Sequence, residues 1–391
     1  MAVTETTTEG WGSRLGSSIK GVLVGGLMFL AGFPVLFWNE GNAVKTARAI
    51  DEGEGACVSL ESNAAIDQEM NGKLVHMSGK ADTKDVLTDD TFGISVTAIH
   101  LQRSVEMYQW IEESKTTEKK KVGGSVERTT TYTYKKDWMP NAIDSSGFKE
   151  SGHDNPGSIE FPSEEKYAAN VTFGAFRLSD KQIKMIHSAQ NYAFPTDFVC
   201  KVERVQRQGS TIYVPNAETR NNEKNNRNVV GQPRIGDMRV NFRVVYPHDI
   251  SIIAKQNGDT FVDYTAKNGK KLNYLADGVE DAAAMFETAR TNNAIMAWLI
   301  RIGGFLLMFI GLGMVFKPLS VLADVLPILG DIVELGTGIV AGVIAFVCAL
   351  VTIAVAWIFY RPVLGILLLV GAGALIFWLV KKRRAKSAPV P

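Results

Sequence analysis

The chain opens polar, turns apolar at Gly21, stays so through Trp38, and then runs polar and mixed from Asn39 to Asn293. Three further apolar stretches follow at Ala294–Phe316, Gly338–Tyr360 and Pro362–Val380. In chain order the four hold 18, 23, 23 and 19 residues, and Arg301 is the only charge among them. A helix needs roughly 20 apolar residues to cross a ~30 Å hydrocarbon core, so each stretch predicts a membrane span. The first reads as an uncleaved anchor, because the small-residue triplet Ala47-Arg48-Ala49 lies too far beyond Trp38 to serve as a signal-peptidase site. Only Arg361-Pro362 parts the last two, which predicts a tight antiparallel helical hairpin.

Between the second and third spans, residues 317–337 alternate with helical period. Leu322, Val325, Leu326, Leu329, Ile332 and Val333 share one face, while Asp324, Asp331 and Glu334 lie on the other. Pro327 and Gly330 are expected to split this amphipathic segment into two short helices. Its acidic face suits an anionic leaflet poorly, which favours packing against the bundle or a protein partner. The basic tail Lys381-Lys382-Arg383-Arg384, with Lys386, holds the C-terminus in the cytosol by the positive-inside rule. Four spans then return residues 1–20 to the same side and place 39–293 outside the cytosol, with 317–337 and 381–391 within it.

The long segment 39–293 is patterned mainly as strands: 73–77, 94–99, 105–111, 126–134, 211–214, 238–246 and 250–254 are short, β-branched and aromatic, with Gly, Asn or Asp at most of their ends. Helices are expected at 43–50, continuing the first span, at 181–188, and at 279–290 leading into the second. Residues 112–138 read as a β-arm folded at Gly123-Gly124, with Lys119-Lys120-Lys121 as a solvated tip. Residues 216–228, with six asparagines, read as a mobile loop. The expected fold is therefore a membrane protein of four transmembrane helices with a large β-rich α+β extracytoplasmic domain between the first and second.

Composition sharpens this picture. The 391 residues are 46% hydrophobic and 21% charged, with 42 Lys+Arg against 41 Asp+Glu. No basic excess advertises nucleic acid as a partner. The apolar clustering excludes both a disordered chain and a purely soluble globule.

Candidate chemistry is thin. Of three cysteines, Cys57 and Cys200 share the outer segment, where a disulfide is permitted and two buried thiols are equally compatible. No CxxC, HExxH, GxSxG or phosphate-loop signature occurs, so no catalytic, cofactor or metal residue is assigned. His153-Asp154 reads as part of a tight turn rather than an acid/base pair. Arg301 lies about 10 Å inside its helix and reads as snorkelling to the outer interface; the alternative is a charge buried between helices against an acidic partner. Small residues at four-residue spacing (Gly21/Gly25, Gly338/Gly342, Ala341/Ala345/Ala349) allow close helix approach.

Several blocks resemble the LUMA family (transmembrane protein 43). They are Asn39-Glu40-Gly41 after the first span, Leu74-Val75-His76 with Gly79, and Glu106-Met107-Tyr108 with Trp110. Gly152-His153 with Pro156, then Gly236-Asp237, then Tyr360-Arg361-Pro362 continue in the same order. The resemblance runs from about Phe37 to Pro362. It implies four spans, one large outer domain, self-association and no enzymatic reaction or cofactor. For a eukaryotic member it implies residence in the endoplasmic reticulum and inner nuclear membrane with lamins and emerin as partners; for a bacterial member, the inner membrane and a periplasmic domain. The expected function is a non-enzymatic scaffold that self-associates and organises membrane protein complexes in the bilayer. The alternatives are transport or channel function of the bundle, or an accessory role in lipid or envelope-protein processing.

Overall fold

The computed structural model describes residues 3–61, 65–221 and 229–362. The fourth span and basic tail expected at 362–380 and 381–391 therefore lie outside the described residues, Pro362 excepted. Five helices are present among those described: α1 (Trp11–Ala56), α2 (Asp180–Ile183), α3 (Ala217–Asn221), α4 (Ala282–Ala323) and α5 (Pro327–Tyr360). Of these, α1, α4 and α5 are long and apolar enough to cross a membrane. Each outruns its apolar stretch: α1 at 46 residues is ~69 Å long.

The strands in chain order are β1 (Val3–Glu9), β2 (Val58–Leu60), β3 (Leu74–Thr83), β4 (Val86–Asp89), β5 (Ile94–Thr97), β6 (His100–Lys120) and β7 (Val126–Met139). Short strands follow: β8 (Glu164–Tyr167), β9 (Val171–Phe173), β10 (Phe176–Arg177), β11 (Gln190–Asn191), β12 (Gln206–Gln208) and β13 (Thr211–Val214). The last are β14 (Met238–Val245), β15 (His248–Asn257), β16 (Thr260–Val262), β17 (Tyr264–Thr265), β18 (Lys271–Leu272) and β19 (Tyr274–Asp277).

The chain divides into two compact units. The helical unit comprises Thr6–Asp51, the hairpin tip Glu118–Arg128, and the chain from Thr288 onward. In it α1 runs antiparallel to α4 along a seam of small residues. A side chain added at Gly25 would meet the Gly311 carbonyl at 2.5 Å, and one at Gly32 would meet Met308. Helices in lipid gain little from burying apolar surface, so such close backbone approach is what holds them. Leu36, Met308, Ala341, Ala345 and Ala349 form the dry centre. The small-residue stripes of α1 and α5 are thus largely consumed within one chain.

The β-rich unit comprises Met1–Glu5, Glu52–Thr117 and Thr129–Glu287. One sheet has the order β1-β7-β6-β14-β13-β12, with β8 on β6 and β11 on β14. The other runs β19-β15-β16-β10-β9-β3-β2 and closes on itself through a β15–β3 pairing. The pleat of β3 and β15, which are buried on both faces over Leu74–Met77 and Ile250–Ala254, points Val75, Met77, Ile250 and Ile252 into that closed core with Phe173, Phe176 and Phe261. The second core lies under the first sheet and is built from Val105, Met107, Val240, Phe242 and their neighbours.

Four expectations need correction. The strand expected over 94–99 breaks after Thr97, and His100 opens the much longer β6. The helix expected at 181–188 stops at Ile183, after one capped turn in which Ser179 and Gln182 satisfy each other. Within 216–228, residues Ala217–Asn221 are helical rather than loop, and 222–228 lie outside the described residues. Residues 317–337 are not two short helices. The first third extends α4 to Ala323, and a turn at 324–326 leads into α5, which opens at Pro327 and runs through Gly330 unbroken. A proline at a helix's first position has no N–H to waste, so Pro327 starts a helix instead of splitting one.

Candidate functional site

The residues singled out in the sequence gather in three places. The first is within the helical unit, where α1, α4 and α5 meet. Glu40 is fully buried on α1, and its carboxylate accepts from Arg301 Nε (2.6 Å) and Nη2 (2.8 Å) and from Trp357 Nε1 (2.7 Å). The guanidinium also lies over the Trp298 ring, 4.8 Å from its centroid. Arg301 is thus paired between helices, and the snorkelling reading gives way to this bidentate pair. Asn39 donates to the Ala297 carbonyl (3.0 Å). Gly41 is needed for space: a side chain there would lie 2.5 Å from the Tyr360 ring. Arg361 turns out of α5 with its N–H on the Trp357 carbonyl (2.7 Å), leading to Pro362. Two motifs more than 300 residues apart are therefore two halves of one contact.

The second place is the opposite end of the same helices. Arg14 of α1 pairs with the buried Asp324 (2.5 Å) and donates to the Gly124 carbonyl at the hairpin tip (2.6 Å). Lys120 reaches Asp324 (2.9 Å), Asp331 (2.9 Å) and Glu334 (2.8 Å). Lys317 also holds Glu334 (2.7 Å), and Trp11 Nε1 donates to the Val321 carbonyl (2.9 Å). Burial works to lower the Lys120 pKa, and the three carboxylates more than reverse it, holding the amine above its ordinary range.

The solvated tip expected at Lys119–Lys121 is accordingly wrong for Lys120, whose side chain is 18% exposed. The acidic face of 317–337 divides: Asp324 is interior, while Asp331 and Glu334 remain at the surface. This contact also bears on sidedness. Lys120 belongs to the segment assigned outside the cytosol, and Asp324 to the one assigned within it. The structure brings the two side chains to 2.9 Å, at variance with that assignment.

The third place is in the β-rich unit, at one end of the first sheet. Glu106 and Arg239 pair across β6 and β14 (2.5 Å), with the guanidinium over Trp138 and Tyr108 packed against the same ring. Met107 points the other way, into the core. The Tyr108 N–H donates to the Asp237 carbonyl (2.8 Å), and Gly236 N–H returns to the Tyr108 carbonyl (2.9 Å). Asp237 is fully buried and accepts backbone N–H groups from Arg234 (2.6 Å) and Asn216 (3.0 Å). Gly236 sits at φ +87°, where a side chain would press on Pro156 and Asn216 at 3.2 Å. Asn155 holds Trp110 through both backbone groups (2.7 and 2.9 Å). Gly152 turns the chain at φ +86°, and His153 stacks on Tyr134 (4.0 Å) and meets Trp110 edge-on (4.4 Å). These residues lock loops onto strands, and His153 is boxed between rings.

Elsewhere in that unit a cleft of about 880 Å³ is lined by His76, Ser78, Lys80, Asp82 and Asp249 among others. His76 Nε2 bonds the Glu280 carbonyl (2.9 Å), to which Ser78 Oγ also donates (3.0 Å); the two side chains stand 3.5 Å apart. The imidazole is spent on a backbone carbonyl rather than on the hydroxyl, so the pair is not a nucleophile with its base. Cys57 and Cys200 are free thiols, correcting the disulfide considered for them. Cys57 lies next to edge strand β2, whereas Cys200 packs on the other core. Burial pushes the Cys57 thiol up to about 11. Among the described residues no three His, Cys, Asp or Glu side chains cluster as metal ligands.

Sequence reasoning missed Arg14 and the Trp357 indole. Glu40 was marked as a motif position with no role. The available signal was the position of each charge at the end of an apolar stretch, which marks the depth of a pair but not its partner.

Against known proteins, the Transmembrane protein 43 family model matches residues 107–362. The mouse Transmembrane protein 43 is 31% identical over 99% of this chain and 96% of its own length, and the human protein is 31% identical with the same coverage. A Transmembrane protein 43 homolog from Drosophila melanogaster is 29% identical over 92% of this chain and 94% of its own. No solved structure matches.

Proposed function

Since the chain belongs to the transmembrane protein 43 family and is an integral membrane protein, we propose that it is a non-enzymatic scaffold that self-associates and organises membrane protein complexes. The observation that carries this reading is how the charges within the apolar helices are used. Glu40 is closed onto Arg301 and Trp357, and Asp324 onto Arg14 and Lys120. Charges engaged this way fasten helices to one another. A permeation path needs polar groups that can exchange partners with a solute, which is what the channel reading requires of Arg301 and Asp324. The family's names carry no reaction, in keeping with a structural role.

Self-association on this reading uses surfaces other than the small-residue seam, since Gly25 and Gly311 already face each other within one chain. The resemblance further suggests the endoplasmic reticulum and inner nuclear membrane of a eukaryote, with lamins and emerin as partners, or the inner membrane of a bacterium. The test is chemical cross-linking of the full chain in native membranes and in detergent, with stepwise photobleaching of single labelled particles. Discrete oligomers are expected; only monomers at membrane-like density would overturn the proposal.

A further inference from the structure

Where α1, α4 and α5 meet the hairpin tip, the helical unit surrounds a hollow of about 640 Å³. It straddles the ends of all three apolar stretches, with Ser18 and Gly21 on α1, Lys317 and Met314 on α4, and Thr337 and Gly338 on α5. One part of its wall is therefore charged and hydroxylated and the other apolar. Glu334 and Gly338 also border an apolar groove of about 960 Å³ between α4 and α5, walled by Phe305, Phe309, Ile339 and Phe346. A side chain built at Gly338 meets nothing within 4 Å, so the neck between the two spaces is open. A polar chamber at the depth where the helices leave hydrocarbon, continued by an apolar channel, has the form of an amphiphile.

We propose that hollow and groove together bind a phospholipid with an ethanolamine head, its primary ammonium in the hollow and one acyl chain in the groove. Two features select the head. First, the hydroxyls of Ser17, Ser18, Ser320 and Thr337 each donate to a carbonyl of their own helix, at 2.8 or 2.9 Å. A carbonyl only accepts, so each hydroxyl proton is committed, and the oxygen lone pairs that remain call for a donor. Second, the charges leave an acceptor over. Arg14, Lys120, Arg128 and Lys317 line the hollow, and each already holds a carboxylate. Their partners are Asp324, Asp331, Glu334, Glu9 and Glu118, five carboxylates against four cations. Asp331 and Glu334 stand where the groove begins, 68% and 45% exposed, open to a further donor. A primary ammonium brings three N–H groups and the missing positive charge. A choline head brings the charge without an N–H, and an anionic head adds to the excess. The phosphodiester of the same zwitterion is met by Lys317 and Arg128, the most exposed of the four cations at 46% and 40%. The acyl chain covers Ile339, Val343 and Phe346, which the described residues leave exposed.

Photolabelling of the full chain in nanodiscs tests the site. The discs are phosphatidylcholine with a small fraction of phosphatidylethanolamine that carries a diazirine on one acyl chain, and labelled peptides are mapped by mass spectrometry. Label is expected on the peptides holding Phe305 to Phe309 and Ile339 to Phe346. Unlabelled phosphatidylethanolamine should displace it about tenfold more effectively than equal amounts of phosphatidylcholine or phosphatidylglycerol, the worth of about one charge-assisted hydrogen bond. Gly338→Leu should abolish the label by filling the neck. Gly336→Leu, which also meets nothing within 4 Å but borders neither space, should leave it unchanged. Glu334→Gln should erase the preference over phosphatidylglycerol. Each variant must match the parent's thermal midpoint in detergent, and the displacement series needs only the unmodified protein. Equal displacement by the three lipids would make the groove ordinary lipid contact and overturn the proposal. So would label that spares the α4 and α5 peptides, whatever then covers the groove, and so would parental labelling of Gly338→Leu.

Discussion

Replacing Glu40 with leucine strands the Arg301 guanidinium. The carboxylate is 1% exposed and Arg301 15%, so neither charge can turn to water while the helices stay packed. The mutation removes two charge-assisted bonds of 2.6 and 2.8 Å and leaves the Trp357 indole N–H, 2.7 Å from the lost oxygen, without an acceptor. Breaking one side of a buried pair costs about 3–5 kcal/mol, because the surviving charge stays desolvated. Arg301→Leu should cost a similar amount by stranding Glu40. The double variant Glu40→Leu/Arg301→Leu strands no charge and should lose no more than about 1–2 kcal/mol, mainly from the orphaned indole. The coupling between the sites is then several kcal/mol. The assay is unfolding of the full chain in mixed micelles of rising dodecyl sulfate fraction, followed by tryptophan fluorescence, since Trp298 and Trp357 both border the pair. Additive single-mutant losses in the double variant would refute the reasoning, as would singles indistinguishable from the parent.

Gly25→Ala and Gly26→Ala should separate cleanly in that assay. The first drives a methyl into the Gly311 carbonyl and should destabilise by about 1–3 kcal/mol, whereas the second meets nothing within 4 Å and should gain up to about 1 kcal/mol of helix propensity. Burial pushes His100 below its ordinary value near 6.5, with the Glu165 carboxylate partly restoring it and His187 adding to the depression. The unfolded chain then takes up the proton first, so this contribution to stability is full above about pH 6.5 and is lost as pH falls through that value toward the folded-state pKa. His100→Gln should flatten the fall in thermal midpoint over roughly pH 7.5 to 5, and an unchanged slope would count against it. Finally, Lys120→Cys with Asp324→Cys, in a background with Cys57, Cys200 and Cys348 replaced, should be joined within one chain by a short bis-thiol cross-linker in native membranes; labelling of the two from opposite faces of sealed vesicles would show the contact to be wrong.

What could be read from the sequence was local. The apolar windows of α1, α4 and α5 stand out because lipid selects composition directly. The β6–β7 hairpin declared itself through Gly123-Gly124, which adopt φ of +92° and +79°. Partnership was not legible. Helical period assigned Asp324 to a polar face, but period alone cannot say whether water or Arg14, 310 residues away, covers that face. The same gap hid Glu40 from Arg301, 261 residues apart, although each position had been noticed separately. Within the β-rich unit, the Glu106–Trp110 and Gly236–Asp237 blocks were visible as motifs, while their common role emerged only from the register that sets Met107 opposite Met238.

The two ion-paired ends of the helical unit amount to a ruler. Along α1 they stand 26 residues apart, from Arg14 to Glu40, and along α4 and its turn 23, from Arg301 to Asp324: ~39 and ~34 Å. The apolar stretch of α1 between them is only 18 residues, ~27 Å, against ~34 Å for its neighbours. Because the pairs bolt the three helices together, α1 cannot slide to suit the membrane independently. A bilayer of ~27 Å, the thickness typical of the endoplasmic reticulum, covers α1 fully, whereas one of ~32–33 Å draws Lys20 or Glu40 into hydrocarbon. The locks therefore convert a mismatch of bilayer thickness in either direction into strain on the protein, a thin bilayer leaving the ends of α4 and α5 uncovered and a thick one drawing in those of α1.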